Sequence, residues 1–410
     1  MMVSPQPGRL QRASDGRCWS APVCLASACI AQGTVLEKRG DFGKTYAIPQ
    51  NNTPHKRVAV AFGLFGRAMK KMREQNSDGR SQHDWVQVTA PSRLHFGLMS
   101  YGGPGRQFGG AGVMIDQPST QLTVRAARTF SASGPGAPRA IQFAKTWSKN
   151  HSIELDCHLE MIQLPPEHVG LGTGTQLGLS VAAALNAWYG IVPARPRELA
   201  ASVGRGKRSA VGTHGFFLGG LIVERGKQAK ELLSPLDCQL SLPENWRVVL
   251  VRPTEFRGLS GIAEQQAFAE LPVIPSAVTE KLIDELRQNL LPAAAQGAFT
   301  AFSKSLFRYG QLAGSCFATQ QGGSYNGPRL TQLVDHILEL GIAGVGQSSW
   351  GPTLFALLPT PTEAETFCDK LRHLPDHDEM DLLISPINRG GHHLSTGDSF
   401  SATSQAPGTL

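Results

Sequence analysis

Three glycines, Gly170, Gly172 and Gly174, alternate with Leu171, Thr173 and Thr175 just ahead of an Ala/Leu-rich run read as a helix over Leu177–Tyr189. Glycines let the backbone turn tightly and approach a ligand, and the helix behind them offers amide donors and the positive end of its dipole. Thr173 and Thr175 add hydroxyls, so an anion, most simply a phosphate, suits the segment. The plain alternative is a glycine turn that caps a helix, although threonines interleaved through the run exceed what a cap needs. No Gly-Lys-Ser/Thr is present for a Walker loop, and the helix is not followed by the acidic strand end of a dinucleotide fingerprint.

The guanidinium forks of Arg93 and Arg257 match phosphate oxygens, with Arg93 set between an apolar strand and the apolar run from Leu94. Gln347, Ser348 and Ser349 occupy a glycine-bounded loop able to hydrogen-bond a ligand, and Trp350 beside them either stacks on a flat ring or packs in a core. The elements that must hold these residues begin at Trp85. Alternation predicts strands at Val86–Ala90 and Gln121–Ala126 and a longer one over Ile153–Leu164. A second set opens near Leu236 with a strand at Arg247–Val251. Helical patterns follow near Gly261–Glu270, Ala277–Leu290, Ala293–Ala313, Arg329–Leu340 and Thr362–Arg372, with strands at Gly341–Val345, Thr353–Leu358 and Asp381–Ser385. That order predicts an antiparallel sheet covered by helices on one side. The domains are therefore a first lobe over residues 85–235, a second over 236–388 and a flexible Ser/Thr/Gly tail over 389–410.

Residues 1–84 read as a poorly ordered basic extension, expected either from a start codon placed too far upstream, Met69 and Met72 lying just ahead of the first strand, or as a tethering arm. The formal charge of +7 sits there: thirteen Lys/Arg against six Asp/Glu, leaving 26 of each sign in the other 326 residues. A neutral body lacks the basic stripe of a nucleic-acid binder. No long apolar run predicts a membrane span, and seven scattered cysteines without a CxxC pair suit reduced thiols in a cytoplasm.

The run PEHVGLGTGTQLGLSVAAAL (Pro166–Leu185) resembles the phosphate loop of the GHMP superfamily, with Thr173 for the first serine and Gly174 for the second. APSRLHFGL (Ala90–Leu98) and GVGQSSWGPTLFAL (Gly344–Leu357) resemble that superfamily's first and third motifs, in order. With GRQFGGAGVMID (Gly105–Asp116), RSAVGTHGFFLGG (Arg208–Gly220) and RGLSGIAEQQAF (Arg257–Phe268), the wording is similar to the β-ribofuranosylaminobenzene 5′-phosphate synthase family. The resemblance implies a two-lobed α+β fold: an N-terminal ribosomal-protein-like α/β lobe with a left-handed crossover and a C-terminal ferredoxin-like antiparallel sheet with helices. It also implies a ribosyltransferase joining 5-phosphoribosyl 1-diphosphate to 4-aminobenzoate or 4-hydroxybenzoate, with loss of carbon dioxide and pyrophosphate, towards tetrahydromethanopterin.

Where the superfamily's kinases carry Gly-x-Asp, this chain has Gly212, Thr213 and His214, which removes the carboxylate that helps deprotonate an accepting hydroxyl. The alternative is an ATP-dependent small-molecule kinase of the same fold. In the transferase reading His95 and His214 handle protons or hydrogen-bond the benzoate, and Glu264 holds Mg²⁺ or stabilises a ribosyl cation, though it also reads as a solvated helix residue. Mg²⁺ is implied by the diphosphate substrate, since no carboxylate cage is visible. Small-molecule substrates and a homodimer are expected, with no nucleic acid and no membrane as partners.

Overall fold

The computed structural model describes residues 83–192, 194–254, 266–267, 269–374 and 379–397. Two long antiparallel strands organise the first sheet: β1 (Trp85–Leu98) and β2 (Gly110–Ala126), paired from Trp85↔Arg125 to Leu98↔Gly110 with irregularities after Ala90 and after His95. The register breaks turn the two halves of β1 toward different cores. Val86, Val88 and Ala90 belong to one cluster, and Leu94 and Phe96 to another. β2 is long enough to pair with two strands on its far edge, β5 (Leu221–Glu224) through Gly110–Val113 and β4 (Cys157–Gln163) through Gln121–Ala126. β3 (Ser131–Ser133) runs parallel to β4, and β6 (Leu236–Leu240) pairs with β5.

Against this sheet pack α1 (Ala137–His151), α2 (Thr173–Trp188), α3 (Pro196–Ser202) and α4 (Val211–Leu218). Thirteen of the sixteen residues of α2 are buried, as suits a helix apolar on every side. Gly178 lets it lie against Phe143 of α1, and the buried Trp147 indole donates to Asn186 Oδ1 at 2.9 Å. This packing fixes the helix N-terminus in space.

The second sheet has the order β10–β7–β9–β8, all antiparallel, from β7 (Arg247–Pro253), β8 (Val345–Gln347), β9 (Leu354–Leu358) and β10 (Met380–Pro386). Taken in chain order this is the 4-1-3-2 arrangement of a ferredoxin-like sheet. Between β7 and β8 run α5 (Ser276–Asp284), a π-helical turn at Glu285–Leu290, α6 (Leu291–Ala295), α7 (Phe299–Ser315), α8 (Ala318–Gln321) and α9 (Pro328–Glu339); α10 (Pro361–Arg372) joins β9 to β10. Period-two alternation decides the packing of the central strands. Val248, Leu250, Phe355 and Leu357 enter the core shared with Leu94, Phe96, Val113 and Leu221, whereas Val249, Val251, Leu354 and Ala356 face α9 and α10. The central strands are thus buried on both faces, not covered on one side only. The mixed helix and sheet content with two sheets is the expected α+β class.

Several sequence expectations need correction. β6 pairs with β5, so residues 236–240 belong to the first sheet and not to the second lobe. The tail from 389 is not free throughout: His393–Gly397 forms β11, paired with Trp85–Thr89 of β1, and Asn388 anchors the approach by accepting from Gly220 N–H and donating to Met114 O and Asp116 Oδ1. Its polar sequence hides the strand, because an edge strand is recruited by the unpaired backbone of its neighbour. The Ala293–Ala313 helix breaks between Ala295 and Phe299, and α2 begins at Thr173, four residues ahead of the apolar run. The Gly261–Glu270 pattern lies largely outside the described residues, as do residues 1–82 and the tail beyond Gly397. Among the described residues no helix is long and apolar enough to cross a membrane.

Truncation after Asn388 should remove the β11 pairing and expose the edge of β1. The expected loss is about 1–3 kcal/mol, read as a lower melting temperature with increased aggregation; unchanged melting would show that β11 adds nothing.

Candidate anion site at the Gly170–Thr175 loop

Gly170 (φ +88°) and Gly172 (φ +71°) hold the left-handed backbone that bends the chain into α2, and Gly172 caps that helix. A side chain at Gly170 would also run into the Ser348 carbonyl. Thr173 Oγ donates to Pro166 O at 2.9 Å, so this hydroxyl pins the loop. The first turn of α2 carries no acid, leaving its positive end uncompensated by its own sequence.

Around that end the fold gathers a cleft of about 300 Å³, lined by the loop, by Arg93, Arg139, Arg205, Arg208 and His168, and by Ser349, Trp350 and Gly351. Arg93 comes from β1; its amide donates to Leu171 O at 2.9 Å and its Nη1 to Gly170 O at 3.3 Å. Arg139 stands in the first turn of α1 and pairs with Glu167 at 2.5 Å. Arg139 and Arg205 lie over the Phe143 ring, 5.8 and 5.6 Å from its centroid, and both abut Gly174. Arg205 also donates to Thr175 Oγ at 3.3 Å. The described lining thus holds four guanidinium groups and no carboxylate, a setting built for a multiply charged anion.

The opposite wall is the loop between β8 and β9. Ser348 Oγ donates to Gly170 O at 2.7 Å and accepts from His95 N–H at 3.0 Å, while Ser349 N–H donates to His95 O at 3.1 Å. Gln347 accepts from Asn326 N–H at 2.7 Å and donates to Ser349 O at 3.0 Å. Gln347 and Ser348 therefore shape the loop, and Ser349 and Trp350 face the cleft. Trp350 is only 6% exposed and packs with Ala267, Leu271, Tyr101 and Phe317, the last edge-on at 5.1 Å. An apolar aromatic cluster thus adjoins the cationic cleft.

Neither sequence-selected histidine lines this cleft. His214 sits on α4 with Nε2 donating to Ser234 O at 2.8 Å, and burial lowers its pKa, so it is a neutral ring bound to backbone. His95 is buried, which pushes its pKa well below the usual value, with the Arg93 charge adding to the effect. Gly97 N–H points at its Nδ1 (3.2 Å), so the ring proton lies on Nε2 and is donated to Ser209 Oγ at 3.0 Å. Ser209 in turn donates to Glu224 Oε1 at 2.5 Å. Burial raises the Glu224 carboxyl to about 7, partly offset by its hydrogen bonds to Ser209, Ser234, Ala210 and Val211.

Arg257 and Glu264 lie outside the described residues. Among the described residues no three His, Cys, Asp or Glu side chains group as a metal site. Sequence reasoning missed Arg139, Arg205 and His168 as cleft residues, did not single out Arg208 within its motif, and missed Glu224. Signals were present: Arg139 puts a cation in a first helical turn, where the dipole disfavours one, Arg205–Arg208 is a basic run, and Glu224 ends the apolar strand Leu-Ile-Val-Glu.

Two outcomes are expected. A methyl at Gly174 would meet only the mobile ends of Arg139 and Arg205, whereas one at Gly170 would meet backbone in a left-handed conformation. Gly174→Ala should keep stability within about 1 kcal/mol yet weaken pyrophosphate binding about tenfold by calorimetry, and Gly170→Ala should cost more than about 2 kcal/mol; equal stability losses would contradict this contrast. For Glu224, the folded pKa of about 7 exceeds the ordinary 4.5, so the group's contribution to stability is fully present below 4.5 and is lost as pH rises through 7. Glu224→Gln should therefore gain about 2–3 kcal/mol relative to wild type between about pH 5 and about pH 8, measured by denaturant unfolding; a pH-independent difference would refute the shift.

Comparison with known proteins agrees with this geometry. Residues 290–376 match the family described as GHMP kinases C terminal. Among solved structures, homoserine kinase from Cytophaga hutchinsonii superposes with TM-score 0.54 at 16% identity, covering 77% of this chain and 99% of that one. Mevalonate-3-kinase from Thermoplasma acidophilum gives 0.54 at 10% identity, covering 77% and 100%. In sequence the chain is 27% identical over 293 residues to β-ribofuranosylphenol 5′-phosphate synthase of Methanothermobacter thermautotrophicus, covering 66% of this chain and 88% of that protein. It is 28% identical over 291 residues to the Archaeoglobus fulgidus protein of the same name, covering 66% and 87%. Kinases share the fold and synthases share the sequence: over about two thirds of its length the chain is similar to the β-ribofuranosylphenol 5′-phosphate synthases, and its C-terminal region matches the GHMP kinase C-terminal family.

Proposed function

We propose that this protein is a decarboxylating ribosyltransferase that joins 5-phosphoribosyl 1-diphosphate to 4-aminobenzoate or 4-hydroxybenzoate, releasing carbon dioxide and pyrophosphate. The observation that carries the reading is the cleft at the Gly170–Thr175 loop, with four arginines and no carboxylate in its described lining. Such a lining binds a diphosphate and stabilises the charge that develops as it leaves. The aromatic cluster around Trp350 supplies an apolar surface beside the anion, suited to a flat ring. The para amino or hydroxyl group of the acceptor pushes electrons onto the ring carbon bearing the carboxylate. That carbon bonds to the anomeric carbon as the C–O bond to pyrophosphate breaks, and loss of carbon dioxide returns the electron pair that restores aromaticity.

The kinase reading has less support. At the position of the kinase aspartate stands His214, a neutral ring held through Nε2 by the Ser234 carbonyl and outside the cleft lining, so the kinase carboxylate has no counterpart there. Mg²⁺ remains an expectation tied to the diphosphate. The described lining does not fit a protein-held ion, because it lacks carboxylates, so no step is assigned to it. A cytoplasmic location is proposed from the unbridged cysteines 157, 238, 316 and 368.

The purified full chain, given Mg²⁺, 5-phosphoribosyl 1-diphosphate and carboxyl-labelled 4-aminobenzoate or 4-hydroxybenzoate, should release labelled carbon dioxide in step with a ribosylated ring product. Arg139→Ala and Arg205→Ala should each lower kcat/KM by about tenfold or more. Folded protein that releases nothing, but transfers phosphate from ATP to a small alcohol, would replace the transferase with the kinase.

A further inference from the structure

Glu224 ends β5 as the one charged residue of Leu221–Glu224 and is fully buried. A carboxylate in such a place must be compensated by well-placed donors or it would be better replaced by an apolar side chain. Both of its oxygens have such donors: Ser209 O–H to Oε1 at 2.5 Å and Ala210 N–H to Oε2 at 2.8 Å. Those two residues directly follow Arg208 and lead into α4. The same Ser209 hydroxyl accepts from His95 Nε2, and Gly110 makes room for that ring, since a side chain there would press on Cε1 and Nε2. The backbone of His95 then holds the far wall through Ser348 Oγ and Ser349 N–H, and Ser348 Oγ reaches Gly170 O.

The donor directions agree along the whole path. His95 gives its Nε2 proton to Ser209, and Ser209 gives its own to Glu224. Only an acceptor at position 224 completes the sequence. An amide there has one acceptor for two donors: its NH2 faces either Ser209 Oγ, which already receives a proton from His95, or the Ala210 N–H, so one bond must open.

We infer that Glu224 is a positioning residue for anion binding: through Ser209 it sets the segment bearing Arg208, and through His95 it braces the backbone that carries Ser348 against the phosphate loop. The inference rests on the anion-site reading above. Glu224 does not line the cleft, so its effect passes through residues that do.

The test uses the full chain with Glu224→Gln and Ser209→Ala, inorganic pyrophosphate as the calorimetric probe, and steady-state kinetics. Both variants should unfold cooperatively, bind pyrophosphate about tenfold more weakly, and show about a tenfold higher KM for the phosphorylated substrate with kcat within about threefold of wild type. Folded variants with wild-type pyrophosphate affinity and KM would overturn the inference, and so would a fall in kcat alone. Should Glu224→Gln not fold, Ser209→Ala decides, because Ser209 is only half-buried and sits ahead of α4. Wild type that fails to bind pyrophosphate would instead overturn the anion-site reading, and the inference with it.

Discussion

The carbonyl oxygen of Gly170 accepts from Ser348 Oγ at 2.7 Å and from Arg93 Nη1 at 3.3 Å. Through it the three motifs recognised in the sequence meet at one atom: Arg93 from the first strand, Gly170 from the phosphate loop, Ser348 from the glycine-rich loop of the second sheet. A carbonyl with two lone pairs can serve two donors, and here both are occupied by side chains far apart in sequence. The left-handed turn at Gly170 presents the carbonyl, and the close approach of Ser348 leaves no space for a side chain. The shape of the cleft follows from this junction, because it sets the distance between the loop that offers amides and the wall that offers Trp350.

The junction also explains how four arginines are tolerated together. Guanidinium groups repel, yet Arg139 and Arg205 both lie over the Phe143 ring and Arg139 has Glu167 as a counter-charge. These contacts keep the side chains extended while leaving the described lining free of carboxylates.

Beneath the site, the shared hydrophobic core makes the two sheets one support. Leu94 and Phe96 follow directly on Arg93 and His95 along β1, and they pack with Val248, Leu250, Phe355 and Leu357 of the second sheet. Alternation along one strand thus sends alternate residues to the core and their neighbours to the polar network. Any slip in β1 register would move both sets together.

The glycine–threonine loop, the helix behind it, the antiparallel second sheet and the order of the motifs are all legible in the chain of residues alone. These depend on local backbone requirements and on periodicity, which neighbouring residues report. Long-range packing is what brings Arg139 and Arg205 to Arg93 at the loop, sets Glu224 behind Ser209, and makes the polar segment His393–Gly397 complete the first sheet. The same packing turns His95 and His214 inward as neutral rings and sets Gln347 and Ser348 to brace the loop. The reason is physical: a side chain's charge, partner and solvent exposure are set by groups that pack against it from distant strands and helices, and spacing along one chain carries no record of them.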